Sequence, residues 1–576
     1  MPPKFSNRLS AIICALVLMF SSCTSQTPPT RQVAVTTPVP PASIPITETT
    51  ISTPSFMGVI ISDAVPQALR NQVENTDIPF SASMNLDVSQ PGGENGIQFK
   101  WVYALVAPFP TVRDGVTSDE LRSFWTDGGT PLLMEESTLR AFTAIWGEPA
   151  FGSVRNVTAE KLLDVTWSES AWAIVPFESL DPKWKVLTID GQSPIRKNFD
   201  ITKYPLAVDF TLRSDGTVDA SSWTLSNYDP NKLTTVIMTG VTALVRATAV
   251  TMELKGSTYP GEKMRDIFRE ADIMHVSNEI PFFTGCPYPK PDAGALVFCS
   301  DPKYMDLITD VGTDVIELTG NHFADYGPNA MYETLDIYRA NNIPYFGGGQ
   351  DLQDSLKPAL FEVNGNKIAF IGCNKPDVGR FPTATDYQPG AAPCDFEYLQ
   401  QKINSLKAEG YVVISTFQWN ESYDYKPNPQ QVDDFRLMAD SGASVVSGSQ
   451  AHYAQLMEFH DDAFIHYGLG NLFFDQMGDQ DWMPPGIRRL FFDRYVIHDG
   501  KLISIELITA MLEDYSRPRI MNEEERAGFL QEYFYYSGWA DLTSTPTPTI
   551  TPTLTPMSIP LLTGPTNLLP TNTPSP

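Results

Sequence analysis

The stretch D-V-I-E-L-T-G-N-H-F-A-D-Y-G-P-N-A-M-Y-E-T-L, residues 314–335, decides the fold of this chain. Its apolar start reads as a strand that stops at the polar pair Asn321-His322. From residue 329 the pattern N-A-M-Y-E-T-L-D-I-Y-R-A-N-N is that of an amphipathic helix. Five further runs have the same strand-then-polar form. T-T-V-I-M precedes Thr239-Gly240-Val241-Thr242, and D-I-M-H-V-S precedes Asn278-Glu279. Y-V-V-I-S-T-F precedes Gln418-Trp419-Asn420-Glu421, A-S-V-V-S-G precedes Ser449-Gln450-Ala451-His452, and F-I-H-Y-G-L-G precedes Asn471. Helical stretches such as G-E-K-M-R-D-I-F-R-E-A-D lie between most of them. Strands alternating with helices predict an α/β fold with parallel pairing, in which ligands bind beyond the carboxyl ends of the strands. The polar clusters are therefore expected to converge on one cleft.

Outward from this region, the chain of 576 residues is long enough for more than one domain, and its 42% hydrophobic content can fill real cores. With 40 Lys+Arg against 68 Asp+Glu, the formal charge is −28. No charge block is basic, which argues against nucleic acid as a partner. Residues 55–230 alternate β-rich runs (F-M-G-V-I-I-S, W-V-Y-A-L-V-A-P-F, W-A-I-V-P-F) with helical stretches that Thr117 or Ser118, and Ser137, are placed to cap. This reads as a smaller α/β domain ahead of a larger one over 231–542. By order and texture it resembles a shortened type 2 periplasmic solute-binding domain, which implies either a binder of a small anion or sugar or a structural arm.

Lys4 and Arg8 precede a ten-residue apolar run, Ala11 to Phe20, too short to span a bilayer but fitting the core of a secretory signal over 1–22. The chain is thus expected to be exported. F-S-S-C resembles a bacterial lipoprotein cleavage site with Cys23 as the acylated residue, which implies a lipid anchor on the outer face of the membrane. Phe20 departs from the usual Leu, so plain signal-peptide cleavage stays open. The 23–54 linker and the uncharged 543–576 tail, with 11 Thr and nine Pro, read as extended spacers, glycosylated stalk or plain disordered ends. Cys286, Cys299, Cys373 and Cys394 remain for the folded part. An oxidising compartment favours pairing them, and proximity favours Cys286 with Cys299 and Cys373 with Cys394 over the two other connectivities.

E-L-T-G-N-H-F-A-D-Y-G-P-N-A-M-Y-E-T-L with the following Y-F-G-G-G resembles the capsule synthesis protein CapA family, associated with poly-γ-glutamate. V-S-N-E-I-P resembles that family's N-L-E-G-P segment and V-V-I-S-T-F-Q-W-N-E-S-Y its H-W-G-x-E-Y strand. S-V-V-S-G-S-Q-A-H is similar to its V-V-I-G-H-H-P-H turn, and Y-G-L-G-N-L-F-F-D-Q to its S-L-G-N-F-x-F-D. The resemblance implies a metallophosphoesterase-like α-β-β-α sandwich with a metal centre at the strand ends. It implies Glu279, Asn321 and His452 as metal ligands and His322 as the catalytic acid, with Asp325 three residues on orienting its ring. Asn278, Gln418, Gln450 and Asn471 are the further candidate binding residues. The departures are as telling. Thr239-Gly240-Val241-Thr242 lacks the family's first carboxylate, Gln418 replaces a His, Ser449 and Gln450 replace two more, and Ser422 stands where an acid is expected.

One hard divalent cation (magnesium, calcium or manganese) on oxygen ligands and a metal-free polar cleft are both compatible with this set. The expected function is that of a capsule or poly-γ-glutamate biosynthesis lipoprotein that binds or processes an anionic polymer or small anion. The alternatives are a metal-dependent phosphoesterase-like hydrolase and a non-catalytic envelope receptor or scaffold. A chain of charge −28 repels a polyanion at long range, so local Lys/Arg or a cation must compensate. His322 and His452 also have plain readings as a helix cap and a turn residue, while His275, His460, His466 and His498 read as structural. N-E-E-E-R at 522–526 reads as a solvated helix start.

Overall fold

The computed structural model describes residues 59–75, 83–90, 95–216, 218–291, 296–375, 382–478 and 483–543. The signal-like run, Cys23, the linker and residues 544–576 lie outside the described residues. Everything described falls in one compact unit that begins at Phe56.

Residues 59–214 build their own sheet around the 12-residue strand Ile97–Pro108, which is antiparallel to Ala207–Ser214 on one side and to Ala173–Pro176 on the other. The helices Ser118–Thr126, Glu136–Trp146 and Ala159–Glu169 pack with it, and the fully buried Trp125, Trp172 and Phe142 fill the core. Thr117 caps the first helix, its side chain accepting from Glu120 N at 3.1 Å. Ser137 does not cap the second. That helix starts two residues earlier than a Ser137 cap would set it, at Glu136 behind Glu135, and the Ser137 hydroxyl donates instead to Glu135 Oε1 at 2.6 Å.

The rest of the chain forms two sheets. In the first, β1 (Leu233–Met238), β3 (Ile273–Asn278), β4 (Val315–Glu317) and β5 (Tyr345–Phe346) run parallel, and a short β2 (Val241–Thr242) continues β1 alongside β3. In the second, β6 (Ala359–Val363) is an antiparallel edge. The strands β7 (Asn366–Lys375), β8 (Val412–Trp419), β9 (Val445–Ser447) and β11 (Ala463–His466) run parallel, and β10 (Met457–His460) closes the other edge antiparallel to β11. After β12 (Asn471–Phe473), the long antiparallel hairpin β13 (Arg489–His498) and β14 (Lys501–Glu513) extends the first sheet from β1.

Side-chain alternation explains the layering, because successive residues of a strand face opposite sides. Ile237, Met274, Val276 and Ile316 pack outward onto helices α1 (Arg246–Lys255), α3 (Met305–Asp310) and α4 (Gly327–Ala340), which follows a short α2 (Arg265–Arg269) and α3 in the chain. Their neighbours Val236, Met238, Ile273 and Val315 meet Ile368, Phe370, Val412, Ile414 and Val445 between the sheets. Ala369, Ile371, Val413 and Val446 face α5 (Phe396–Ala408) and α6 (Pro429–Asp440). The architecture is an α-β-β-α sandwich. All six apolar runs read from the sequence are strands. A capping box at Asn522 and Glu525 starts the last helix, α7 (Glu523–Tyr536).

The smaller region is joined to this sandwich by packing and by charge. Phe109 sits against Phe459 at 5.1 Å and Phe464 at 5.4 Å within the inter-sheet core cluster. Around it Arg196 pairs with Glu506 and Arg526 with Asp114, each at 2.6 Å. Lys185 pairs with Asp114 at 2.6 Å, and its burial pushes the ammonium down to about 8.

Polar side chains tie the two sheets together. His275 Nε2 lies 3.1 Å from Glu317 Oε2, to which Ser449 Oγ from the second sheet also donates, while Thr319 Oγ1 donates to Oε1 at 2.6 Å. Burial alone would raise the Glu317 carboxyl, but these partners hold it below the ordinary value. Such a group contributes stability that is present above the unfolded pKa of about 4.3 and lost as pH falls below it. Glu317→Leu is therefore expected to cost about 3–5 kcal/mol at pH 7. In denaturant titrations its deficit relative to wild type should shrink below about pH 4; a deficit that is constant with pH contradicts the assignment.

Candidate functional site

The strand ends meet because glycines let the loops touch. A Cβ on Gly320 would lie 2.5 Å from Glu279 O and 2.6 Å from Glu279 Cα, so only glycine lets the Asn321-His322 loop rest on the Glu279 backbone. Gly240 meets Gly470 in the same way, its would-be Cβ 1.9 Å from the carbonyl oxygen. These contacts bring the loops after β1, β3, β4 and β11 to one place. Glu279, His322, Glu421, Tyr423, His452 and Gln476 there line a cavity of about 490 Å³ together with Arg246, Leu296, Phe298 and Phe474.

Each histidine of the cavity is anchored through its Nδ1. His322 Nδ1 lies 2.6 Å from Asp325 Oδ2, the pair that the three-residue spacing predicts. The same carboxylate accepts from Phe298 N at 2.8 Å, and the Phe298 ring packs on the imidazole at 4.7 Å. His452 Nδ1 lies 2.8 Å from Asn471 Oδ1. The Asn471 amide in turn donates to Gln476 Oε1 at 2.9 Å, and Gln476 Nε2 donates to Tyr423 Oη at 2.9 Å. This chain assigns the proton to Nδ1 and turns Nε2 of His452 to the cavity, 3.8 Å from Glu279 Oε1 and 3.9 Å from Glu421 Oε1. Tyr423 and Phe474 stack on the two faces of the His452 ring. Tyr423 donates to Glu421, and burial together with that carboxylate keeps its hydroxyl protonated far above the usual tyrosine range.

The remaining sequence candidates are buried behind this wall. Asn321 Oδ1, Gln418 Oε1 and Gln450 Oε1 have no hydrogen-bond partner among the described residues. Gln450 Nε2 donates across the sheets to Ser277 Oγ at 2.5 Å. Asn278 is turned the other way, toward the helices. Its amide donates to Ile280 O and to Tyr338 Oη, both at 2.7 Å, and it does not line the cavity. The reason is strand alternation, since Ser277 and Asn278 face opposite sides.

Tyr423, Gln476 and Arg246 are absent from the residues singled out in the sequence, and Glu421 is named there only as the end of the Gln418–Glu421 polar cluster, without a role of its own. Ser422 stands where an acid is expected, yet the turn at Asn420, with φ +31°, brings Glu421 to the cavity one residue earlier. Both disulfides have the connectivity expected from proximity, with Cα separations of 5.8 Å for Cys286–Cys299 and 5.0 Å for Cys373–Cys394. The other histidines are structural: His275 and His466 pair with Glu317 and Asp493 with no exposed side-chain surface. His460 meets Asp440, and His498 meets a backbone carbonyl.

An α-β-β-α sandwich with His, Asn and Glu side chains gathered at its strand ends defines a metallophosphoesterase-like fold. Residues 235–476, which include all of the cavity lining, match the bacterial capsule synthesis protein family PGA_cap. The PGA biosynthesis protein CapA of Bacillus subtilis (strain 168) is 30% identical over 226 residues, covering 39% of this chain and 59% of that protein. The capsule biosynthesis protein CapA of Bacillus anthracis is 29% identical over 176 residues, 30% of this chain and 43% of that one. Over residues 235–476 the C-terminal sandwich is thus similar to the capsule synthesis protein family, and the chain spans less than two thirds of the length of these relatives. Among solved structures, the NAD nucleotidase NadN of Haemophilus influenzae aligns with a TM-score of 0.31 at 13% identity, over 52% of this chain and 55% of that one.

Gly320→Ala is expected to force the Asn321-His322 loop off Glu279 at a cost of about 1–3 kcal/mol, measured by denaturant unfolding. A variant as stable as wild type would show that the close approach is not required.

Proposed function

We propose that the chain binds or processes an anionic polymer of the poly-γ-glutamate type during capsule biosynthesis, as an exported protein anchored through Cys23. The observation that carries this reading is the cavity itself: every residue lining it lies in the stretch that matches the capsule synthesis family. Two disulfides among the described residues suit an oxidising, exported setting, and no helix there is long and apolar enough to cross a membrane.

The donor chemistry fits one hard cation better than a two-metal centre. Three amide oxygens without partners, those of Asn321, Gln418 and Gln450, are the kind of buried group that asks for an ion or water. Glu279 and His452 Nε2 would complete the set, and oxygen-rich ligands suit magnesium, calcium or manganese. No three His, Cys, Asp or Glu ligand atoms lie mutually within 4.8 Å in the cavity; among the described residues only the surface group Asp440, His460 and Asp461 does. A cation there would neutralise a carboxylate or phosphoryl oxygen of the substrate. The protein's own contribution is positional. Asp325 holds His322 so that its ring can protonate a leaving oxygen or steady an anion, and Asn471 fixes the tautomer of His452. The His322–Asp325 pair is the specific feature that favours a second reading, a phosphoesterase-like hydrolase.

Magnesium, calcium or manganese at about 100 times its Kd is expected to raise wild-type stability by about 2.7 kcal/mol. Glu279→Gln combined with Gln418→Ala should abolish the rise. An equal rise in that variant overturns the cation site. Binding of poly-γ-glutamate should weaken at least about tenfold in His452→Ala and Glu279→Gln variants whose circular dichroism is unchanged. Undiminished binding by both variants, with hydrolysis of p-nitrophenyl phosphate lost in His322→Asn, would favour the hydrolase reading instead.

A further inference from the structure

The cavity does not end at His322. Arg246 and Phe298 line it, and both also line a second chamber of about 180 Å³ over the Cys286–Cys299 bridge, with Tyr288, Lys290, Tyr304 and Tyr326 around it. Arg246 is the one permanent cation among the described residues of the main cavity wall, which otherwise carries Glu279 and Glu421. Its placement is over-determined. The backbone is held at φ +50°, a left-handed conformation uncommon outside glycine, where the next amide, Ala247 N, donates to Asp475 Oδ2 at 3.1 Å. Asp475 also takes the guanidinium through Nε at 3.1 Å and through Nη2. The rings of Phe298 and Phe474 lie 5.1 and 4.9 Å from the guanidinium carbon. This grip uses one edge of the planar fork, and no described residue bonds Nη1. A cation fixed so firmly at the junction of two chambers is preorganised for an anion.

We propose that the chamber over the Cys286–Cys299 bridge is a second subsite of the cleft, taking the next anionic units of a linear oligomer whose first unit is held at Arg246. This rests on the polymer reading above. Charge and shape both suit that occupant. Lys290 offers a second cation, and the exposed Tyr288 together with Tyr326 offers ring faces to the methylenes between carboxylates. Among the described residues lining the chamber the single acid, Asp301, is turned to Lys303: it accepts from the Lys303 amide at 3.0 Å and lies 3.8 Å from its ammonium. The bridge and the Phe298-to-Asp325 hydrogen bond fix the chamber wall to the side chain that orients His322, so filling the second subsite acts on the same framework as filling the first.

The test is calorimetric titration of the full chain, in about 0.15 M salt with magnesium, using γ-linked glutamate oligomers of one, two, four and eight units. Affinity is expected to step up on the order of tenfold between two and four units, more than the few-fold gain that repeated sites on a longer chain give by statistics. Lys290→Ala and Tyr288→Ala, both surface changes, should narrow that step, whereas Arg246→Lys should weaken every length. Equal affinity for all lengths, or an unchanged step in the Lys290→Ala and Tyr288→Ala variants, overturns the second subsite and leaves the cleft reading standing. If wild type binds no oligomer of any length, the subsite and the polymer reading fall together.

Discussion

The structure depends on a polar seam between its two sheets. Glu317 on the first sheet accepts from Ser449 on the second, Gln450 donates to Ser277, and Asn374 Nδ2 donates to Thr319 O at 2.6 Å. In an interior of low dielectric such bonds are strong when complete and costly when broken. Apolar packing alone would let two sheets slide over one another. These bonds set one register, and that register places the ends of β3, β4, β8 and β9 side by side. The cleft is the consequence, built from loops that no single sheet could bring together.

Electrostatics then divides the molecule into a general field and a local one. A formal charge of −28 repels polyanions at a distance, and the cleft adds Glu279 and Glu421 to that. Against this stands Arg246, clamped by Asp475 between two phenyl rings, and the amide oxygens of Asn321, Gln418 and Gln450, unpartnered among the described residues, are proposed to take a hard cation. On the proposed reading, binding of an anion would depend on a few fixed positive groups. Specificity would follow from the same arrangement, since a diffuse basic surface would take any polyanion whereas a fixed fork and a cation would select by geometry.

Much of this was legible in the sequence. The six strand-then-polar runs gave strands that end at one place, the i, i+3 spacing of His322 and Asp325 gave their hydrogen bond, and proximity gave both disulfides. The misses have physical causes. Asn278 carries a polar side chain at a strand end, but alternation turns it to Tyr338, and no pattern of residue types reveals which way a terminal position faces. Glu421 was obscured because a one-residue difference in the turn re-aims the acid. Arg246 was invisible because its role comes from Asp475, 229 residues away, and from a left-handed backbone that sequence spacing does not encode. Ser137 looked like a cap, but two glutamates ahead of it start the helix earlier, where negative charge suits the N-terminal dipole.

The buried oxygens of Asn321, Gln418 and Gln450, with Glu279 and His452, are proposed to form a single hard-cation site. Anomalous diffraction from crystals soaked in manganese tests it most directly. One peak is expected, with carboxylate and amide oxygens at about 2.0–2.6 Å, the range for hard cations on oxygen ligands. A peak only at Asp440, His460 and Asp461 on the surface, or two peaks in the cleft about 3.5–4 Å apart as in two-metal hydrolases, would contradict it.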